Sequence, residues 1–152
     1  MEVKNKIEFS EKLKPTIIRR KLKMPVINTF NLKSVQIPAP YERVIRVLLA
    51  PDTQDDVKGM SVSHCIIAPR EGKTDFHKHP GVEMMYIITG KGECHIGDKV
   101  FSLEPDTLMV VPAGTMHDMR NYSDETMKLV AMFIPAETSK EIYERAEEAA
   151  KH

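Results

Sequence analysis

Three histidines and one glutamate stand at spacings that suit a metal ion: His77, His79, Glu83 and His117. His77 and His79 are two residues apart, so on an extended strand both side chains point to one face. Pro80-Gly81 then bends or ends that strand, because proline removes a backbone donor and glycine accepts turn angles. Glu83 opens a new apolar run over residues 83–89; paired beside the histidine strand, that run would turn the carboxylate to the same interior. His117 follows the Pro112-Ala113-Gly114 turn on a later strand. Neutral imidazoles and a carboxylate are hard-to-borderline ligands, suited to one divalent transition metal ion: Fe, Mn, Zn, Ni or Co. Four protein ligands in an octahedral shell leave two positions for water or substrate. That is an open site capable of chemistry rather than a closed structural one.

The stretch from Gly72 to Asn121 resembles the two motifs of the cupin superfamily. The first motif reads glycine, five residues, His-x-His, three or four residues, glutamate, six residues, glycine. His77, His79, Glu83 and Gly90 match it, with Gly72 one residue closer to His77 than the pattern asks. The second motif ends in Pro-x-Gly-x-x-His followed by asparagine four residues on. Pro112, Gly114, His117 and Asn121 match it, while its leading glycine position holds Asp106, in a turn of altered chemistry. The resemblance implies a double-stranded β-helix, or jelly-roll, barrel with His77, His79, Glu83 and His117 on a metal. It also implies Asn121 in the second shell or as a turn clamp.

The surrounding pattern agrees with an all-β barrel closed by a C-terminal α-helix. Strands are expected over residues 24–30, 33–37, 43–49 and 60–68. A hairpin joins residues 92–96 to 99–103 through Gly97-Asp98, a short buried strand covers 108–111, and further strands cover 116–120 and 126–134. Thr138-x-x-Glu141 has the form of a helix capping box. Ile142, Ala146 and Ala149 or Ala150 make an apolar stripe, and Glu141–Arg145 and Glu147–Lys151 are favourably spaced ion pairs. The expected layout is an N-terminal extension at 1–23, a barrel at 24–135, and a helix at 136–152 on the barrel's outside, away from the site. No second copy of the motifs and no second domain is apparent, so one barrel is expected. The extension is charge-rich, with an edge strand expected through Thr16-Ile17-Ile18.

Alternation assigns other residues. Met85 shares parity with Glu83 and Met119 with His117, making both candidates for the wall of a substrate pocket. Asp75 shares parity with His77 and is the one further acid–base candidate. His64 is expected in the core or at the surface rather than in the site, and His95 in solvent, as Cys94 and Ile96 take the inner face.

Composition narrows the function classes. Lys plus Arg and Asp plus Glu each number 22, so no basic stripe argues for nucleic acid. No apolar run reaches membrane-spanning length. Cys65 and Cys94 lie far from a C-x-x-C pattern and read as reduced, which with the lack of a signal pattern points to the cytoplasm. A homodimer with a small-molecule ligand or substrate is expected. The favoured function is a metal-dependent enzyme, dioxygenase-, isomerase- or decarboxylase-like, with oxygenase chemistry ahead. The alternative is a non-catalytic barrel that binds a small molecule or metal.

Overall fold

The computed structural model describes residues 26–151. The extension at 1–23, with its expected edge strand at 16–18, and His152 lie outside the described residues.

Among the described residues, nine strands and one α-helix follow in chain order. They are β1 (Val35–Ile37), β2 (Arg43–Leu49), β3 (Ser61–Ile67), β4 (Val82–Thr89), β5 (Gly92–Ile96), β6 (Lys99–Leu103), β7 (Leu108–Val111), β8 (His117–Asn121), β9 (Met127–Ile134) and α1 (Ser139–Ala149). They form two sheets, β1-β2-β3-β9-β4-β7 and β6-β5-β8, with every pairing antiparallel. The architecture is the expected all-β jelly roll with a C-terminal helix.

Alternation builds the interior. On β3, Ser61, Ser63, Cys65 and Ile67 are buried while the residues between them are half-exposed. On β9, Met127, Leu129, Ala131 and Phe133 do the same. Register aligns the buried sets across the sheet: Phe133 stands opposite both Ser61 and Glu83, and Ala131 opposite both Ser63 and Met85. A one-residue slip would turn each set outward, so the buried face holds the register.

Two glycines close the barrel at the end remote from the histidines. Gly90 has φ +83°, a left-handed conformation that side chains disfavour. A Cβ on Gly92 would lie 1.9 Å from the Arg120 carbonyl oxygen, so β5 can approach β8 there only without a side chain. Asp106, at the glycine position of the second motif, has φ 66°, so it adopts the left-handed turn that glycine would take. Aspartate tolerates this region better than most residues.

Several expectations are corrected. Residues 26–28 form no strand. The Asn28 side chain instead accepts a 3.1 Å bond from the Phe30 amide and starts a single 3-10 turn, Thr29–Asn31. Such local bonding competes with strand pairing. β7 is not buried throughout: it is the sheet's edge, and Leu108 and Val110 face outward. The segment carrying His77 and His79 is not a ladder strand but touches β8 through isolated bridges, Lys73 to Arg120 and His77 to His117. Glu83 therefore does not lie beside that segment. β4 pairs with β9 and β7 and brings its carboxylate from the facing sheet.

Thr138 caps α1 with the expected capping box. Ile142 and Ala146 are buried, but the expected ion pairs are replaced. Glu141 is engaged by the cap, Arg145 turns inward to Glu137, and Lys151 pairs with Glu148.

Candidate metal centre

His77, His79, Glu83 and His117 come together, each offering one ligand atom, and these atoms all lie within 4.8 Å of one another. His79, Glu83 and His117 are buried and His77 is nearly so. Two bridging bonds position the pair of segments: the His77 amide donates to the His117 carbonyl at 3.0 Å, and the His117 amide to the His77 carbonyl at 2.8 Å. Gly114, with φ +72°, donates its amide to the His79 carbonyl at 2.8 Å, which anchors the turn leading into His117.

The ring nitrogens settle which lone pairs face inward. His77 Nδ1 donates to the Asp75 carbonyl at 2.7 Å, and His117 Nδ1 to the Thr115 carbonyl at 2.9 Å. A carbonyl can only accept, so both Nδ1 atoms carry hydrogen. His79 Nδ1 lies 3.2 Å from Glu137 Oε1, which assigns it a hydrogen in the same way. In the neutral rings all three Nε2 atoms are then bare. Yet His77 Nε2 and His79 Nε2 are 3.0 Å apart, and Glu83 Oε2 lies 3.1 Å from His79 Nε2 and 2.8 Å from His117 Nε2. Lone pairs so crowded repel unless a cation lies between them. The donor set fits a divalent metal ion, and outer partners that hold each Nδ1–H are the usual support for metal-binding histidines.

A proton can take the cation's place: burial works against the Glu83 carboxylate, but the hydrogen bonds that His117 and His79 donate to it when Nε2 is protonated, together with their charge, outweigh burial and hold its pKa down to about 2. Burial pushes His77 below the ordinary histidine value, favouring the neutral ring. Burial also disfavours charge on His79, but its bonds to Glu137 and Glu83 prevail and raise it.

A cavity of about 70 Å³ adjoins the cluster, walled by Met85, Met119, Leu129, Phe133 and Ile142. Met85 and Met119 thus stand where parity puts them. Asp75 also lines it, bound to Arg43 at 2.6 Å. His64 faces the other side of β3, opposite Arg46 on the neighbouring strand. His95 is exposed and pairs with Asp118 at 2.6 Å.

One expectation is narrowed and one overturned. Asn121 reaches none of the histidines. Its Nδ2 donates to the carbonyls of Ile67, Ala68 and Glu125, and its Oδ1 accepts from the Ser123 amide and hydroxyl, so of the two roles it is the turn clamp. The helix is not remote from the site: Ile142, Arg145 and Ala146 line the cavity, and Arg145 pairs with Glu137, which holds His79. An apolar stripe must be buried somewhere, and here Ile142 and Ala146 are buried against the cavity.

Sequence reasoning missed Glu137, Arg43 and Arg145. Glu137 meets His79 across 58 positions of chain, and no local pattern foretells that. Arg43 left a usable signal: it shares strand parity with Ile45 and Val47, an unpaired-looking cation on an inward face.

A β-jelly roll holding a buried three-histidine, one-carboxylate cluster defines a metal-capable barrel. The chain belongs to the cupin family: the cupin domain family model matches residues 63–133. A curated relative, an L-ectoine synthase from Vibrio cholerae serotype O1, is 30% identical over 101 residues, 66% of this chain and 69% of its own. Among solved structures, a predicted oxalate decarboxylase from Thermotoga maritima has a TM-score of 0.63 at 20% identity, over 72% of this chain and 98% of that one. The polyketide cyclase RemF from Streptomyces resistomycificus has a TM-score of 0.61 at 18% identity, over 76% and 85%. At such identities the likeness to solved structures speaks to the fold alone. Among the described residues no helix is long and apolar enough to cross a membrane.

Proposed function

We propose that this protein is a metal-dependent enzyme acting on a small organic molecule, with His77, His79, Glu83 and His117 holding one divalent transition metal ion. The observation that carries the reading is the convergence of three proton-free Nε2 atoms and a carboxylate beside an apolar cavity. A bound ion would supply Lewis-acid polarisation of a substrate oxygen. The chain's own residues do the rest. Glu137 and the carbonyls of Asp75 and Thr115 hold the imidazoles in one tautomer. Met85, Met119 and Phe133 exclude water and shape the substrate's apolar part.

Asp75 shifts the balance among reaction types. It is the carboxylate lining the cavity that does not belong to the ligand set, and Arg43 keeps it charged against the cost of its burial. A fixed proton acceptor beside the centre favours rearrangement, ring closure or decarboxylation over oxygen insertion, reversing the order expected from sequence. The name of the sequence relative, a synthase, supports the same direction.

The test is elemental analysis of protein purified without a histidine tag, then a turnover screen over small hydroxy, oxo and amino acids with and without oxygen. One metal per chain and product formation that persists anaerobically are expected. Turnover only with oxygen consumption would replace the reading with an oxygenase. Bound metal with no turnover of any member of the screen would favour the non-catalytic barrel.

A further inference from the structure

Arg43 lines the cavity beside the cluster. It is 6% exposed and begins β2 with its side chain on the inner face, opposite Ile67 of β3. Its guanidinium makes a 2.6 Å ion pair through Nη2 to Asp75 Oδ1, while its Nε is buried with no hydrogen-bond partner among the described residues. A buried cationic donor left without an acceptor is costly, and guanidinium offers a planar fork that matches a carboxylate. Asp75 occupies one part of that fork and leaves Nε unanswered among the described residues.

The charges around the cavity point the same way. Arg43 and Arg145 bring two positive charges; Asp75, Glu83 and Glu137 bring three negative ones. With neutral imidazoles and a dication on them, these groups together carry one net positive charge, screened in part by solvent at the half-exposed Arg145 and Asp75. What remains of that charge beside the apolar wall is unfavourable until a counter-ion enters. One carboxylate neutralises it, and the methionine and phenylalanine wall suits a short apolar body attached to that carboxylate.

We propose that the cavity selects a small monocarboxylate, whose carboxylate is received by Arg43 beside Asp75 while the rest of the molecule lies against Met85, Met119 and Phe133. The inference rests on the metal-centre reading above, because the charge of the empty cavity reverses without the dication.

The experiment loads the full chain with Co(II) or Zn(II), confirms stoichiometry by elemental analysis, and titrates it calorimetrically with propionate and with its neutral isostere propionamide. Propionate is expected to bind on the order of tenfold or more tighter, the margin of a charge-assisted hydrogen bond. In Arg43→Gln that preference disappears while metal stoichiometry is kept, and Arg43→Lys restores it in part. Arg43→Gln/Asp75→Asn removes both members of the ion pair and loses the preference equally, which covers the case in which Arg43→Gln alone misfolds. In the parent protein, the Arg43 Nε–H resonance shifts with propionate and not with propionamide. A chain that takes up no metal overturns both readings, since its cavity would then be net negative. A metal-loaded chain that binds the two probes equally overturns this inference alone. So does a preference that survives in both variants, or an Nε–H resonance that stays still, because the metal alone would then be receiving the carboxylate.

Discussion

Strand β8 carries a buried polar side chain at each end, and the two have opposite surroundings. Asn121 is 0% exposed and His117 is 2% exposed, four residues apart on the same inward face. Every polar atom of the Asn121 amide is answered by a turn atom. Nδ2 gives three bonds to backbone carbonyls, and Oδ1 receives two from Ser123. At His117, Nδ1 is answered by the Thr115 carbonyl, while Nε2 lies 2.8 Å from the Glu83 carboxylate, with the His77 and His79 rings 4.4 and 5.4 Å away centre to centre. A buried polar group whose bonds are complete within the protein rigidifies a fold. One left with surplus lone pairs is poised for something the chain does not itself supply. Both residues belong to the same sequence motif, so motif membership alone does not separate architecture from chemistry.

The sharpest way to break the contrast is to exchange the two effects by mutation. His117→Ala should lower metal affinity by more than about 100-fold, beyond the range of outer-shell changes, while the barrel stays folded. Competitive metal titration with circular dichroism measures both, and parent-like affinity would refute the assignment. Asn121→Ala should do the reverse. Losing the clamp leaves buried carbonyls unsatisfied and should cost about 3 kcal/mol of stability, with metal stoichiometry unchanged in the folded protein. Unaltered denaturation together with lost metal would place Asn121 in the centre after all.

Smaller effects sharpen the picture around His79. Glu137→Gln keeps the shape but removes the charge that steadies the His79 Nδ1–H. Metal affinity should fall about tenfold, the lower end for an outer partner. No change would make the Glu137–Arg145 pair a helix anchor only.

The pH dependence follows from the same contact. Proton and metal compete for Nε2, and the His79 pKa is raised above its ordinary 6.5 by Glu137 and Glu83 despite burial. Affinity should therefore rise with pH through and somewhat above that value, then level off. His77, shifted downward, competes only in more acidic solution, and Glu83, at about 2, is already ionised throughout. The expected change is a few-fold per pH unit near neutrality. Affinity that is flat from about pH 6 to 8, or that grows on acidification, contradicts this ordering.

The sequence by itself determined the alternation that closes the barrel, the capping box at Thr138, and the residue types and order of the four donors. These are local properties: strand parity places Met85 and Met119, and turn chemistry explains Asp106 at a glycine position. Tertiary structure alone decided which sheet delivers Glu83, that β7 lies at the sheet edge with one face exposed, and that α1 covers the cavity. It also decided that Glu137 and Arg145 support His79, and that Arg43 is buried beside Asp75. The reason is range. A period of two or a capping spacing is written within a few residues, whereas these contacts join segments 8 to 58 positions apart. Their partners become definite only once two twisted sheets have packed face to face.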